Sequence, residues 1–408
     1  MRRRFLLAAA CIAAAAPACQ RAREIQSGAQ LNRDVDQMMP AVERATGMKF
    51  KSHPVVLRRT RAQIRAYVTR KSDKDLPPSE LAGIQEAYKL LGLLPDSVDL
   101  RRTLVNLLAE QVAGYYDPDS NALFIGGDVD PAQVRIVVSH ELVHALQEQY
   151  ISLDSLIQQK NANDRRAAAQ AVLEGQATLA QILVLMPEQQ LDNLPNLWDA
   201  RGAVGQQQQQ MPEFAHAPMW LRETLIFPYL AGAEFVRWFD RTHPGKEPFG
   251  PLMPTSTEQI LHTDRYDVGD KPISLAFVGP ASDSVRYEND LGEFETRLLL
   301  EQFLGEDSTE TMLARGWGGD RYQVLGQDTT SAAVVWYSVW DDAKSADQFT
   351  GNLKQAWQRR HASEPGTRRY EIARLVVDGH PGVRLVDAPA DWAGWRHLPK
   401  VRVFEGGH

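Results

Sequence analysis

Residues 131–150 read PAQVRIVVSHELVHALQEQY, and the reading of the whole chain turns on this stretch. Pro131 suits the first turn of a helix, and Val134, Ile136, Val137, Val138, Ala145 and Leu146 give that helix an apolar body. His140 and His144 stand four residues apart within it. That spacing puts both imidazoles one turn apart on one face, where they can reach a single ion. Glu141 is displaced around the helix toward the open side of such an ion, where a carboxylate can take a proton from metal-bound water. Zinc suits this arrangement because it is redox-inert, accepts imidazole nitrogen and brings the pKa of bound water down to about 7. The competing reading is a chance match whose histidines fill polar positions. Two unpaired histidines in so apolar a helix would be costly, which weighs against it.

Two histidines leave zinc short of its usual three protein ligands. The next helix, residues 167–185 (AAAQAVLEGQATLAQILVL), carries one acidic residue, Glu174. An ionised carboxylate in such a run calls for a cation, although a solvent-facing Glu is the alternative. Gly175 beside it is a poor helix former that would admit a close neighbour.

HELVH followed by a Glu on a second helix resembles the gluzincin metallopeptidases, the group that includes thermolysin. The chain is also similar to exported bacterial zinc-peptidase-like proteins with the pattern GYYDP, HELVHALQ, EG.A, FPY..G, STEQILH and GWGGDRY. These pieces stand here between Gly114 and Tyr322. The resemblance implies an α+β fold: a mainly helical, zincin-like metallopeptidase domain with a small sheet, plus a smaller C-terminal α/β domain. It implies His140, His144 and Glu174 as ligands of Zn2+, Glu141 as general base, and a peptide or protein as substrate. Thermolysin-like proteins place an Asp four residues after the third ligand to orient a ligand histidine. Thr178 stands there in this chain, so its hydroxyl or another carboxylate, such as Asp164, would have to serve.

Peptide hydrolysis also needs a donor to the developing oxyanion. Tyr229 in FPYLAG and His262 in STEQILH are the catalytic candidates, with Tyr266 behind them; buried packing is the alternative for Tyr229. The strand at Asn121–Gly127 offers strand addition to an extended peptide, unless it lies inside its sheet. Gly316-Trp317-Gly318-Gly319-Asp320-Arg321 reads as a structural turn with Trp317 packed.

Outside these motifs, Arg2, Arg3 and Arg4 precede the apolar run FLLAAACIAAAAPA, which has the form of an export signal. Ala16-Pro17-Ala18-Cys19 resembles a lipobox, with Ala16 where Leu is usual. Cys19 is therefore the expected lipidation site, and the expected location is the periplasmic or outer face of a membrane, held by a lipid anchor. Both cysteines, Cys11 and Cys19, lie in this segment, so the mature protein has no internal disulfide. The formal charge of −7, and −10 once residues 1–18 and their three arginines are removed, gives no reason to expect nucleic acid.

The expected organisation is a signal (1–19), a tether (20–30), a metallopeptidase domain (31–310) and a C-terminal α/β domain (311–408). Locally, 115–121 reads as turn, 153–165 as a break, 201–211 as a Gln-rich loop, and the helix at 217–240 as interrupted at Pro228. Two functions compete: zinc-dependent hydrolysis of peptide bonds, or of another amide such as a cell-wall peptide, and a non-catalytic binding lipoprotein that keeps its zinc. Glu141 favours the first, since structural zinc needs no general base.

Overall fold

Asp130 caps the helix that Pro131 opens, its carboxylate accepting the Ala132 N–H at 2.8 Å, and the helix runs Pro131–Glu148. The computed structural model describes residues 31–157, 160–186, 194–279, 283–305, 314–362 and 366–404. The stretches read as signal (1–19, with Cys19) and tether (20–30) lie outside the described residues. The fold is α+β, and the chain divides into two compact units.

The first unit comprises, among the described residues, 31–67, Gln111–Leu153 and 177–186. Its sheet has three strands: β1 (Val55–Arg59), β2 (Gly114–Asp117) and β3 (Ala122–Gly126). β3 lies in the middle, parallel to β1 and antiparallel to β2. Strand addition at Asn121–Gly127 is thus ruled out, because both edges of β3 are already paired. Tyr115 and Tyr116 are strand, not turn; the turn is confined to Pro118–Asn121, where Asn121 takes φ +48°, a left-handed conformation that Asn tolerates. Helix Pro131–Glu148 packs on β2 and β3 and buries Val134, Val138, Leu142, Val143, Ala145 and Leu146. Each of the larger of these side chains contributes about 1.5–3 kcal/mol by leaving water. Gly114 is required here, because a Cβ would stand 2.6 Å from Val137 Cγ1 on that helix.

Among the described residues, the second unit contains seven strands: β4 (Leu275–Val278), β5 (Val285–Asn289), β6 (Trp317–Leu325), β7 (Ala333–Trp340), β8 (Arg368–Val377), β9 (His380–Pro389) and β10 (Lys400–Val403). β4 pairs with β10, and the other five form an antiparallel sheet in the order β5-β6-β7-β9-β8. β6 and β7 are buried along nearly their whole length, with helix Ala343–His361 packed on the sheet. Asp320 of the GWGGDRY piece ties this unit together. Its carboxylate accepts the Leu291 and Gly292 N–H groups, both at 2.9 Å, and the indole N–H groups of Trp317 and Trp336 at 3.2 and 2.8 Å. The motif is therefore a buried clasp built on a strand.

Three helix boundaries differ from expectation. Residues Arg201–Gln208 are helical, since Ala, Val and Gln are compatible with a helix and only two glycines oppose it. The break at 153–165 holds a short helix, Leu153–Ile157, and the next helix already starts at Asn163. Helix Met219–Thr242 continues through Pro228 without a break. Its packing, which includes Phe227 stacked on Phe294 at 4.0 Å, outweighs the lost backbone hydrogen bond.

Candidate metal centre

On the motif helix the His140 and His144 rings are 4.9 Å apart between centroids, and their Nε2 atoms are 3.2 Å apart. Two imidazole nitrogens bound tetrahedrally at about 2.0–2.1 Å from one zinc stand about 3.3–3.4 Å apart, so this pair has the spacing such a site uses. Two lone pairs cannot face each other at that distance without a proton or a cation between them. His144 Nδ1 lies 2.9 Å from Gln147 Oε1, and Gln147 is wholly buried.

Glu141 is 8% exposed, and its Oε2 accepts the backbone N–H of Tyr116 at 2.8 Å. The β2 strand that supplies this donor is fixed by its own hairpin, with Tyr116 Oη donating to Asn121 Oδ1 at 2.9 Å. Burial, with Glu148 and Asp117 adding to it, pushes the Tyr116 phenol up to about 12, so it remains a donor at neutral pH. The GYYDP piece thus has a local use: Gly114 lets the strand pass the motif helix, and Tyr116 holds the general-base candidate.

Glu174 lies on helix Asn163–Leu185, which runs through both units; residues up to Gln176 count with the second and those from Ala177 with the first. One ligand atom from each of His140, His144 and Glu174 lies within 4.8 Å of the other two, and this group could bind a metal. Beside Glu174, a Cβ on Gly175 would collide with the backbone of Gly232, and a Cβ on Gly232 with the carbonyl of Ala171. The EGQA and FPYLAG pieces are therefore the two sides of one helix crossing. Next along, Gln176 donates to Glu247 Oε2 at 2.7 Å; burial, then the charge of Asp240, raises Glu247 to about 7.

The other candidates are placed as follows. Thr178 Oγ1 is buried and without a hydrogen-bond partner, so it makes no orienting contact with a ligand histidine; Gln147 contacts His144 instead. Asp164 is also committed elsewhere, accepting the Thr257 N–H at 2.9 Å. Tyr229 is 40% exposed on helix Met219–Thr242. His262 Nε2 stands 2.9 Å from Glu293 Oε1, on a side chain 4% exposed. Tyr266 donates to the Leu252 carbonyl at 2.7 Å, a structural contact. Sequence reasoning missed Gln147, the Tyr116 amide and Glu293. Only Gln147 had a legible signal, a polar residue three positions after His144 on a buried helix face.

Residues 97–243, which include all of this group, match a family model described as "Putative metallopeptidase family (DUF6782)". Residues 283–391 match a second, described as "Domain of unknown function (DUF8575)". No curated protein and no solved structure matches the chain.

Proposed function

We propose that this protein is a zinc-dependent peptidase of the gluzincin, zincin-like type, exported and held at the cell envelope by a lipid on Cys19, and acting on peptide or protein substrates. The observation that carries the reading is the convergence of His140, His144 and Glu174 with Glu141 one residue along the same helix. Two imidazole nitrogens and a carboxylate are a donor set that zinc accepts, and they leave a position for water and substrate. Zinc bound there would supply Lewis acidity, polarising the scissile carbonyl and easing deprotonation of water.

The chain's own residues do the rest. Glu141 takes the proton and later returns it to the leaving amine, its carboxylate held in one orientation by the Tyr116 N–H. His262 and Tyr229 are the proposed donors to the developing oxyanion. The Glu293 carboxylate fixes the ring of His262, while Tyr229 is the more accessible of the two.

The test uses the full chain as wild type and Glu141→Gln, with zinc content and cleavage of a mixed peptide library measured on the same samples. Equal zinc with cleavage reduced by about 10²–10⁴-fold in the variant is the expected outcome. A wild type that holds zinc and cleaves nothing would replace this reading with the binding-lipoprotein one.

A further inference from the structure

We infer that Gln147 is the positioning residue that makes His144 a zinc ligand, holding the ring proton on Nδ1 so that the Nε2 lone pair faces the metal. The inference rests on the metal reading above. It starts from tautomers: a neutral imidazole carries one proton on either nitrogen, and only the bare nitrogen can bind a metal. An acceptor placed at Nδ1 keeps the proton there.

Gln147 Oε1 is 2.9 Å from His144 Nδ1, while His144 Nε2 faces His140 Nε2 at 3.2 Å. The nitrogen opposite the glutamine is thus the one turned toward the second histidine of the group. Spacing reinforces the contact, since residues three apart on a helix are neighbours whatever the rest of the fold does. Gln147 is 0% exposed, so water does not compete for its amide.

An amide differs from a carboxylate in this role by its charge. A carboxylate would raise the basicity of the ligand further and offset part of the ion's charge; glutamine orients the ring and leaves the centre one charge more positive. The rival geometry has the glutamine amide turned over, its NH2 donating to Nδ1. His144 would then be protonated on Nε2 and unfit to bind through it.

Two measurements on the full chain test the inference. The first is the ¹⁵N spectrum of the histidine rings in zinc-free protein, which reports the tautomer of His144. The second is zinc affinity, by competition with a chromogenic chelator, for wild type, Gln147→Met and Gln147→Glu. Expected are an Nδ1–H tautomer in wild type that is lost in Gln147→Met, zinc held about 10–100-fold more weakly in Gln147→Met, and affinity restored or exceeded in Gln147→Glu. Rescue by Glu separates positioning from mere space-filling, which Met performs equally well. An Nε2–H tautomer in wild type, or a Gln147→Met protein that binds zinc as wild type does, overturns the inference. A wild type that binds no zinc overturns the metal reading, and the tautomer still decides what Gln147 does.

Discussion

At the scale of single residues, hydrogen-bond partners decide which polar groups near the motif have work to do. Thr178 stands where the gluzincin resemblance looks for an orienting group, yet its buried hydroxyl has no partner. A buried hydroxyl left unsatisfied costs about 1–3 kcal/mol. Thr178→Val, which keeps the shape and removes the hydroxyl, is therefore expected to leave zinc affinity within about twofold and to raise stability slightly or not at all. Chelator competition and denaturant unfolding measure the two. A large loss of zinc in that variant would return Thr178 to the role it was expected to fill. The two histidines were legible in the sequence because their spacing alone encodes a shared helix face, and Glu141 because it stands one residue around the helix from them. The Tyr116 amide was not, because a backbone donor carries no residue signature.

At the scale of elements, the crossing of helices Asn163–Leu185 and Met219–Thr242 sets where Glu174 stands. Gly175 and Gly232 meet there with no room for a Cβ on either. Gly175→Ala and Gly232→Ala each force the helices apart, and overpacking of this kind costs about 1–3 kcal/mol or more, despite the better helix propensity of Ala. Thermal unfolding should show a clear drop for both, whereas Gly202→Ala, with open space around its Cβ, should be neutral or stabilising. The sequence showed that Gly175 would admit a neighbour but not which one, since the crossing pairs residues far apart in the chain. Helix Thr257–Leu261 carries a second consequence. Burial, then the charges of Glu293, Asp270 and Asp341, raises the Glu258 carboxyl to about 9. Its unfolded value is 4.5, so across this interval the folded state keeps a proton that the unfolded state releases. Stability therefore falls as pH rises through the interval, by up to about 1.4 kcal/mol per pH unit from this group. Glu258→Gln removes that slope, so unfolding measured at about pH 5 and about pH 8 should favour the variant increasingly at the higher pH. A constant difference between the two proteins would mean that Glu258 is ionised in the folded state.

At the scale of the whole molecule, the α+β character was expected from the resemblance that the HELVH helix and its neighbouring pieces carry, and the fold has that coarse class. The two-unit division and the central position of β3 were not. Both depend on the pairing of β1 with β3 across some sixty residues of intervening chain, which no local pattern reveals. Mass spectrometry of the protein recovered from its host tests the proposed export and lipid anchor, with a lipidated Cys19 as mature N-terminus expected and an unmodified terminus beyond it against. Zinc binding to the folded state alone would also stabilise the chain by mass action, about 2.7 kcal/mol at a hundredfold excess over Kd, so chelation should lower the melting temperature reversibly. The most direct test of the metal centre is zinc per chain, by elemental analysis after zinc loading and desalting, in wild type, His140→Ala, His144→Ala and Glu174→Gln. One zinc in wild type and a loss in all three variants is the predicted result. A wild type without zinc, or a Glu174→Gln protein that keeps a full ion as tightly as wild type, would contradict it.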